Sequence, residues 1–388
     1  MRFILITSKL NFETAGGSVI DFHLRAKGLI DLGHDVTVIT AFSYANKITT
    51  PLPYKVQEEM VMSRGLLGIQ KHAYLIFKKY EKEADVFYFD GQIFLYGAGF
   101  YRLLGGKVPV AGFFNVRLNC WSDTQNNIAK VSVAKKIKKR VRLWIEKYIG
   151  VPIAHRIDRY MFNTPMLEEI YLNWGFKKEK SLIIEDCINM KEIVLKNMVS
   201  IRKIEAHQNN PNKITLFTTG RMIPEKGFDL VVKAFELIKN KERFNVVMSG
   251  GGPDIDRIKA LVSEKKLDNY FTFPGWVSKE ELTKLFKQAH IFIFPKWWIE
   301  YGSALLTEAM AFGLPCIVPL GGALEWLTER KQLYFTPDSY QEMADCIEKL
   351  GSDQNLRITF AFNSLLRTNT LDCTIIVKKL ESVLLSLS

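Results

Sequence analysis

Residues 2–40 have the sequence RFILITSKLNFETAGGSVIDFHLRAKGLIDLGHDVTVIT, and this stretch decides the fold class. Arg2–Ser8 and Asp35–Thr40 are short apolar segments of the kind that form buried strands, whereas Ser18–Leu32 carries apolar residues at helical spacing. Gly33 follows and predicts the end of the helix. The stretch therefore predicts a βαβ unit, in which the two strands lie parallel and the crossover is right-handed.

The same alternation runs through the first 190 residues and begins again at residue 213. Further strands are predicted over 85–90, 108–114, 159–163 and 182–188, and then over 213–219, 244–249, 270–273, 290–294 and 315–319. The intervening residues 191–212 are polar and end in a run rich in turn formers, which predicts a linker. A chain of 388 residues is also too long for one ordinary core. We expect an α/β protein whose domains, 1–190 and 213–371, are each Rossmann-like with a doubly wound parallel sheet.

The composition excludes several other classes of protein. Hydrophobic residues make up 47% of the chain and charged residues 24%, which is ordinary for a globular protein and argues against disorder. The longest apolar runs fall far short of the roughly 20 residues that cross a bilayer. The five cysteines are scattered, and without a CxxC pair they predict neither a disulfide framework nor a structural zinc site. These features favour a cytoplasmic protein.

The net charge of +12 is concentrated in the first half, because residues 1–190 hold 27 Lys and Arg against 18 Asp and Glu. Much of this excess falls in residues 130–148, where apolar residues recur at helical spacing among lysines and arginines. This basic amphipathic helix has two interpretations: docking on an anionic membrane, or packing of its apolar stripe against the domain core. The sequence leaves both open. Nucleic acid is disfavoured, because no nucleic-acid-binding module accompanies the charge.

The residues that can carry chemistry are concentrated in the second half. Glu300 and Glu308 are eight positions apart, and a helix is predicted to begin near Ser303, between them. Backbone N–H groups at a helix start suit a phosphate, and a carboxylate about one turn further on suits two ribose hydroxyls. An isolated pair of glutamates is more often a solvated helix face, so the neighbouring motifs decide the interpretation.

Two cations lie on the first strand-to-helix loop of the second half. Arg221 follows Gly220, and Lys226 precedes Gly227. Arg221 would present a planar guanidinium fork to an anion, and Lys226 would present a point charge. A charged loop of this kind is also common without a binding function. Gly250–Pro253 ends the next strand, where it lets the backbone approach a ligand or simply turns the chain into a helix.

Taken together, these motifs and their order resemble those of retaining glycosyltransferases of the GT-B fold, in particular glycosyltransferase family 4. The resemblance covers nearly the whole chain and is more specific in its C-terminal half. The matching residues are Gly16-Gly17, Gly33–Val38, Gly220-Arg221, Lys226-Gly227, Gly250-Gly251, Phe273–Val277, Glu300, Glu308–Pro315 and Gly321-Gly322. The resemblance implies two Rossmann-like domains facing a cleft, with residues 372–388 packing back on the N-terminal domain.

The resemblance also implies a nucleotide-diphosphate sugar as donor and assigns roles to the matching residues. Arg221 and Lys226 would neutralise the diphosphate, Glu300 would contact the donor sugar, and these three are the implied catalytic residues. Glu308 would hold the ribose. The other implied donor-binding residues are Gly16, Gly17, Gly220, Gly250, Gly251, Trp276, Val277, Gly302, Ser303, Ala304 and Leu305. No metal or other cofactor is expected, because the two cations and the helix start stabilise the leaving group.

Three positions depart from the family pattern. Asn115 stands where the family usually has a histidine, and Asp90 ends a strand where a histidine is also frequent. An asparagine cannot act as a general base, although it can hydrogen-bond a sugar, whereas Asp90 could accept a proton or orient an acceptor. We treat Asp90 and Asn115 as acceptor-side candidates. Ser303 replaces a glycine that is usual in the family.

The sequence therefore predicts a cytoplasmic glycosyltransferase that transfers a hexose-type sugar to a glycan or lipid-linked acceptor. Peripheral attachment to the inner face of the membrane is a further hypothesis. The competing hypothesis is a non-catalytic sugar-nucleotide-binding or scaffold protein, motivated by Asn115. A nicotinamide-dependent oxidoreductase is disfavoured, because residues 11–18 lack the GxGxxG fingerprint.

Overall fold

The computed structural model describes residues 1–13, 17–63, 65–118, 133–209, 211–295 and 301–388. These residues form two compact units. The first, here called the N-terminal unit, consists of Met1–Cys187 and Cys373–Ser388. The second, the C-terminal unit, consists of Ile188–Asp372.

Each unit contains one sheet. The strands of the N-terminal unit are β1 (Arg2–Thr7), β2 (Asp35–Thr40), β3 (Lys55–Glu58), β4 (Val86–Asp90), β5 (Val110–Phe114), β6 (Arg159–Phe162) and β7 (Ser181–Ile183). Those of the C-terminal unit are β8 (Ile214–Thr219), β9 (Phe244–Ser249), β10 (Phe271–Gly275), β11 (Ile291–Ile293), β12 (Cys316–Pro319) and β13 (Leu333–Phe335). Within the described ranges, neighbouring strands of both sheets pair in parallel.

The strand order shows that both sheets are doubly wound. The N-terminal sheet has the order β3-β2-β1-β4-β5-β6-β7, and the C-terminal sheet has the order β10-β9-β8-β11-β12-β13. In each sheet the second and third strands in the sequence lie on one side of the first strand, and all later strands lie on its other side. The order therefore reverses between β1 and β4 and between β8 and β11, which are topological switch points. The prediction of two Rossmann-like parallel sheets is confirmed.

Helices connect the strands. They are α1 (Gly17–Asp31), α2 (Leu66–Lys79), α3 (Leu95–Leu103), α4 (Val133–Ile145), α5 (Val151–Ala154), α6 (Pro165–Asn173), α7 (Met190–Asn197), α8 (Ile201–Gln208), α9 (Phe228–Leu237), α10 (Ile255–Glu264), α11 (Lys279–Gln288), α12 (Ala304–Ala311), α13 (Ala323–Leu327), α14 (Tyr340–Ser352), α15 (Gln354–Thr370) and α16 (Cys373–Leu385). A π-helical segment, Glu146–Gly150, joins α4 to α5. Residues 130–132 of the predicted basic helix lie outside the described residues.

The last helix of the chain completes the core of the N-terminal unit. Leu380 and Leu384 of α16 are fully buried in the same core as Phe3 of β1. α16 also lies close to α1, since a Cβ atom on Gly28 would stand 2.7 Å from Cγ2 of Val377. Glycine at position 28 therefore lets the two helices pack at short distance.

Two helices, α7 and α8, occupy most of the segment predicted as a linker. Asn189 and Ser200 cap them by accepting hydrogen bonds from the backbone N–H groups of Glu192 and Lys203. Ile204 of α8 is buried, while most of the polar residues of this helix face solvent. The polar composition thus reflects the solvent-facing sides of two short helices, and the segment is part of the C-terminal unit rather than a linker.

Candidate active site

Glycines join the carboxyl ends of three adjacent strands in the C-terminal unit. The N–H of Gly220, after β8, donates to the carbonyl of Ser249 at 3.2 Å, and the N–H of Gly250, after β9, donates to the carbonyl of Gly275 at 2.7 Å. A Cβ atom on Gly250 would lie 1.9 Å from the carbonyl oxygen of Gly220. Gly250 has a φ of +114°, so both the backbone conformation and the space require glycine.

A second set of backbone contacts fixes the loop that carries Arg221. The N–H of Met222 donates to the carbonyl of Gly251 at 2.8 Å, and the N–H of Asp254 donates to the carbonyl of Met222 at 3.2 Å. Met222 is fully buried, whereas Arg221 is exposed, and no described carboxylate forms an ion pair with Arg221. Hydrogen bonds thus hold the backbone on both sides of Arg221, while its guanidinium remains available to an anion.

Lys226 lies further along the same loop. It ends a 3₁₀ turn, Pro224–Lys226, whose last N–H donates to the carbonyl of Ile223. Gly227 follows in the left-handed conformation, with a φ of 67°, and directly precedes α9 as its N-cap residue. The sequence Gly220–Gly227 therefore places both predicted cations on one short connection between β8 and α9.

Strand β11 lies beside the strand that carries this loop. β8 and β11 pair directly, Leu216 with Ile291 and Phe217 with Phe292, so their carboxyl ends are adjacent at the sheet edge. Because the strand order reverses between them, the loop of Arg221 begins at the switch point, where doubly wound sheets bind their ligands. This loop thus starts next to the carboxyl end of β11.

α12 begins at a capped N-terminus. The Oγ atom of Ser303 accepts a hydrogen bond from the N–H of Leu306 at 3.2 Å, which satisfies one donor of the first turn. Gly302 precedes the cap, and Ala304 and Leu305 form the first turn itself. These residues stand where the sequence analysis expected a phosphate-binding helix start.

Glu308 lies just over one turn into α12 and is half-buried. Burial raises the pKa of its carboxyl above the usual range, and the nearby ammonium of Lys279 opposes this shift. No hydrogen bond to the side chain of Glu308 is present among the described residues. A ligand that donates hydrogen bonds to this carboxylate would relieve the desolvation.

Trp276 extends the glycine-rich edge. It follows β10, and its side chain is 69% exposed. A Cβ atom on Gly251 would lie 2.8 Å from Nε1 of Trp276, so the indole lies directly over this glycine. Val277 follows and is half-buried. Gly220, Gly250, Gly251 and Trp276 therefore lie close together at the ends of β8, β9 and β10.

Two of the predicted donor-side residues, Gly16 and Glu300, lie outside the described residues. Gly17 is the first residue of α1, and it therefore follows β1 in the N-terminal unit.

The two acceptor-side candidates end neighbouring strands of the N-terminal unit. Asp90 is the last residue of β4, and Asn115 follows β5, which pairs with β4. Removal of the Asp90 carboxyl from water, together with the nearby Asp21 and Asp186, raises its pKa to about 7, although Arg25 opposes the shift.

Sequence reasoning missed the groups that surround Asp90. Asp21 and Arg25 of α1 form a buried ion pair, with Nε and Oδ2 2.7 Å apart. Asn163 follows β6 and donates through Nδ2 to Oδ2 of Asp186 at 2.9 Å. One signal was present in the sequence: the two charges stand four apart within the apolar stripe of α1, where solvated charges are not expected.

Two further features bear on the class of protein. Within the described ranges, no group of three or more His, Cys, Asp or Glu is placed to hold a metal ion. The described helices include none that combines the length and apolar character needed to span a bilayer.

Comparison with known proteins agrees with this geometry. Residues 200–364 match the family described as Glycosyl transferases group 1. An uncharacterized glycosyltransferase of Methanocaldococcus jannaschii is 23% identical over 388 residues, which cover 92% of this chain and 90% of that protein. The α-monoglucosyldiacylglycerol synthase of Streptococcus pneumoniae is 23% identical over 216 residues, or 54% of this chain and 46% of that protein.

Solved structures share the fold over the full chain. Sucrose-phosphate synthase from Thermosynechococcus elongatus superposes with a TM-score of 0.74 at 17% identity, covering 100% of this chain and 99% of that one. Anabaena Alr3699/HepE in complex with UDP gives a TM-score of 0.74 at 14% identity, with 100% of both chains covered.

The two doubly wound sheets, and the architecture shared with these proteins, define a GT-B fold. Residues 200–364 match the glycosyl transferases group 1 family, and together with the similarity to a protein named as a glycosyltransferase this match identifies the chain as a glycosyltransferase, as the resemblance predicted. Membership of family 4 and a retaining mechanism stay predictions.

Proposed function

We propose that this glycosyltransferase is metal-independent and retaining, and that it moves a hexose-type sugar from a nucleotide-diphosphate donor to a glycan or lipid-linked acceptor. Such a reaction would serve the synthesis of a surface polysaccharide or glycolipid. The observation that carries the proposal is the switch point between β8 and β11, where the loop of Arg221 and Lys226 begins. The UDP complex of the Anabaena protein, which has the same fold, supports a nucleotide donor.

The leaving diphosphate is the group that this arrangement suits. Arg221 offers a planar fork to phosphate oxygens, and Lys226 offers a point charge from the same loop. Ser303 already accepts a hydrogen bond from the N–H of Leu306. The N–H groups of Ala304 and Leu305 are therefore the ones that would donate hydrogen bonds to a phosphate oxygen. Stabilising the departing charge in this way needs no cation from solution.

The nucleoside would lie between α12 and the glycine-rich edge. Ribose hydroxyls that donate to Glu308 would supply the partners that its desolvated carboxyl lacks among the described residues. The base would border Trp276 and Val277, which follow β10. Gly220, Gly250 and Gly251 would let the backbone approach the nucleotide, and Glu300, after β11, would contact the donor sugar.

Donor binding and transfer test this proposal together. Thermal shifts with UDP-, GDP- and ADP-sugars would identify the donor, because a ligand that binds only the folded state raises its stability. With that donor, Arg221→Ala and Lys226→Ala should each lower the transfer rate by about 10²–10³-fold without lowering the unfolding temperature. Lys233→Ala, on α9 of the same unit, is the matched control.

Two results would contradict the proposal. Unchanged transfer in both variants would remove the assignment of the cations. Donor binding without transfer or hydrolysis, over a broad panel of donors and acceptors, would favour the alternative of a non-catalytic sugar-nucleotide-binding protein.

A membrane-bound site of action is the second part of the proposal. Ile137, Val141, Trp144 and Tyr148 recur at intervals of three or four residues along α4 and the π-helical segment, and each side chain is more than half exposed. An apolar stripe that packed on the core would be buried, so this observation favours docking on an anionic bilayer over core packing. The basic residues of the same helix would add about 1 kcal/mol each near an anionic surface.

Vesicle co-sedimentation tests the membrane proposal. Trp144→Ser and Val141→Ser should each release protein from vesicles that contain phosphatidylglycerol, whereas neither wild type nor variants should bind vesicles of phosphatidylcholine alone. Leu67→Ser is a suitable control, because Leu67 is a similarly exposed apolar residue on α2. Equal partitioning of wild type and both α4 variants would refute the proposal.

A further inference from the structure

We infer that the acceptor is a neutral, polyhydroxylated sugar around its reacting hydroxyl, and that a buried polar cluster of the N-terminal unit selects it against phosphorylated and amino sugars. The inference rests on the proposed transferase function. The cluster, here called the acceptor-side cluster, consists of Asp21, Arg25, Tyr88, Asp90, Asn163 and Asp186.

The sheet gathers these residues at one edge. Asp90 ends β4, Asn163 directly follows β6, and Asp186 follows β7 by three residues. β4, β5, β6 and β7 are consecutive neighbours in a parallel sheet, so their carboxyl ends lie together, and ligands of doubly wound sheets bind beyond these ends.

The ion pair between Asp21 and Arg25 holds the loop that carries Asp186. The guanidinium donates through Nη2 to the carbonyl of Glu185 at 2.8 Å, and the N–H of Cys187 donates to Oδ1 of Asp21 at 2.7 Å. The residues on both sides of Asp186 are therefore fixed by one ion pair, and Asn163 binds one oxygen of its carboxyl. The position of this carboxyl is set before any ligand arrives.

The cluster contains buried polar atoms that have no hydrogen-bond partner. They are Nη1 of Arg25, Oη of Tyr88 and Oδ1 of Asn163, and all three side chains are at least 98% buried. Each unpaired buried group costs about 1–3 kcal/mol, so a cluster with three such atoms favours a guest that can satisfy them.

The chemistry of the unpaired atoms defines that guest. Arg25 needs an acceptor, Asn163 needs a donor, and Tyr88 can take either role. A phosphate offers only acceptors and would meet the carboxyls of Asp90 and Asp186, whereas an ammonium offers only donors and would face Arg25. Sugar hydroxyls both donate and accept, directly or through a shared water, so they match the whole set.

The charge of the cluster supports the same selection. Desolvation, reinforced by the nearby Asp21, raises the pKa of both Asp90 and Asp186 to about 7. At neutral pH part of this carboxyl pair therefore remains protonated, and the cluster can present an O–H donor as well as carboxylate acceptors to a neutral sugar.

Saturation-transfer difference NMR in the presence of UDP tests the inference. The probes are the methyl α-glycosides of glucose, galactose and mannose, the corresponding amino sugars, and the corresponding 6-phosphates. We expect at least one neutral glycoside to bind, and its amino and phosphorylated counterparts to bind at least about tenfold more weakly. Asp186→Asn should weaken binding of the neutral glycoside by at least about fivefold, because a hydrogen bond to a charged carboxylate is replaced by a weaker one to a neutral amide. Glu185→Gln is the matched control, since its side chain pairs instead with Lys379.

The UDP signals separate this inference from the proposed function. If UDP binds to wild type and variants alike, the following results would overturn the inference: no neutral glycoside binds, a 6-phosphate or amino sugar binds as well, or Asp186→Asn leaves glycoside binding unchanged. If UDP does not bind the wild type, GDP and ADP take its place in the experiment, and failure of all three to bind would contradict the proposed nucleotide donor instead. If Asp186→Asn fails to fold, Asp90→Asn serves as the second variant with the same expected result.

Discussion

The imidazole ring of His290 stacks on the ring of His207, with centroids 4.1 Å apart and an angle of 15° between the planes. Nδ1 of His290 accepts a hydrogen bond from the N–H of Thr215 at 3.0 Å. Burial lowers the pKa of His290 to about 3, and the neighbouring His207 and Arg357 contribute to the shift. His290 is therefore neutral in the folded protein at every pH where the enzyme is expected to work.

This pair predicts a loss of stability in mild acid. Between pH 6.5 and pH 3 the unfolded chain binds a proton at His290 and the folded protein does not, so stability is complete above pH 6.5 and falls as the pH decreases. The contribution lost at pH 4.5 is about 2–3 kcal/mol. Urea unfolding at pH 7 and 4.5 measures it. His290→Asn keeps an acceptor for Thr215 but cannot titrate in this range, so it should lose less stability over the same interval. An equal loss in both proteins would contradict the prediction.

Adding a single methyl group at Gly250, which follows β9, should strongly destabilise the protein. Gly250→Ala places Cβ 1.9 Å from the carbonyl oxygen of Gly220 at a φ of +114°, so the free energy of unfolding should fall by at least about 3 kcal/mol. Gly275→Ala, at a φ of +75° with open space around Cβ, should cost only about 1–2 kcal/mol. Chemical denaturation distinguishes the two variants, and similar losses would show that φ alone decides the cost.

Removal of one side chain from α16 should destabilise the N-terminal unit. Leu380 is fully buried in the core that contains β1, and Leu380→Ala should cost about 2–5 kcal/mol. Leu385, on the exposed side of the same helix, is the control, and Leu385→Ala should change stability by less than about 0.5 kcal/mol. Denaturation of both variants measures the difference. Equal stabilities would mean that α16 contributes little to the core.

The buried ion pair of α1 should respond differently to single and double substitution. Arg25→Met leaves Asp21 buried without its cation and should cost about 3–5 kcal/mol. Adding Asp21→Asn removes the stranded charge while keeping an acceptor for the N–H of Cys187, so the double variant should be more stable than Arg25→Met alone. Lys27→Met, in an exposed pair of the same spacing, should be nearly neutral. A double variant that is less stable than the single one would contradict this account.

Much of the fold could be predicted because parallel strands buried on both faces are continuous apolar runs. The segments around β1, β2, β4 and β5 are of this kind, and the structure places strands there with ends that differ from the predicted ones by at most two residues. β3 was missed because its sequence, KVQE, is polar and lies at the edge of the sheet. β13, an apolar triplet between polar segments, was also missed.

The site was predictable where backbone geometry demands a particular residue. Glycine at positions 220 and 250, which the sequence analysis singled out, adopts positive φ at the ends of β8 and β9. The acceptor-side cluster was not predictable, because its members come from α1 and from three separate strand ends. Nothing in the linear order indicates that Arg25 lies beneath Asp186, since only the strand order of the folded sheet brings these residues together.

Because α16 packs on the first sheet, it affects the order in which the two units can complete their folding during synthesis. The C-terminal unit is one continuous segment and has all its residues once Asp372 has left the ribosome. The N-terminal unit, although translated first, cannot close its core until Leu384 emerges. Nascent chains usually fold their leading domain first, but here the first sheet keeps an unfinished apolar surface until α16 has been translated, and such a surface is prone to aggregation.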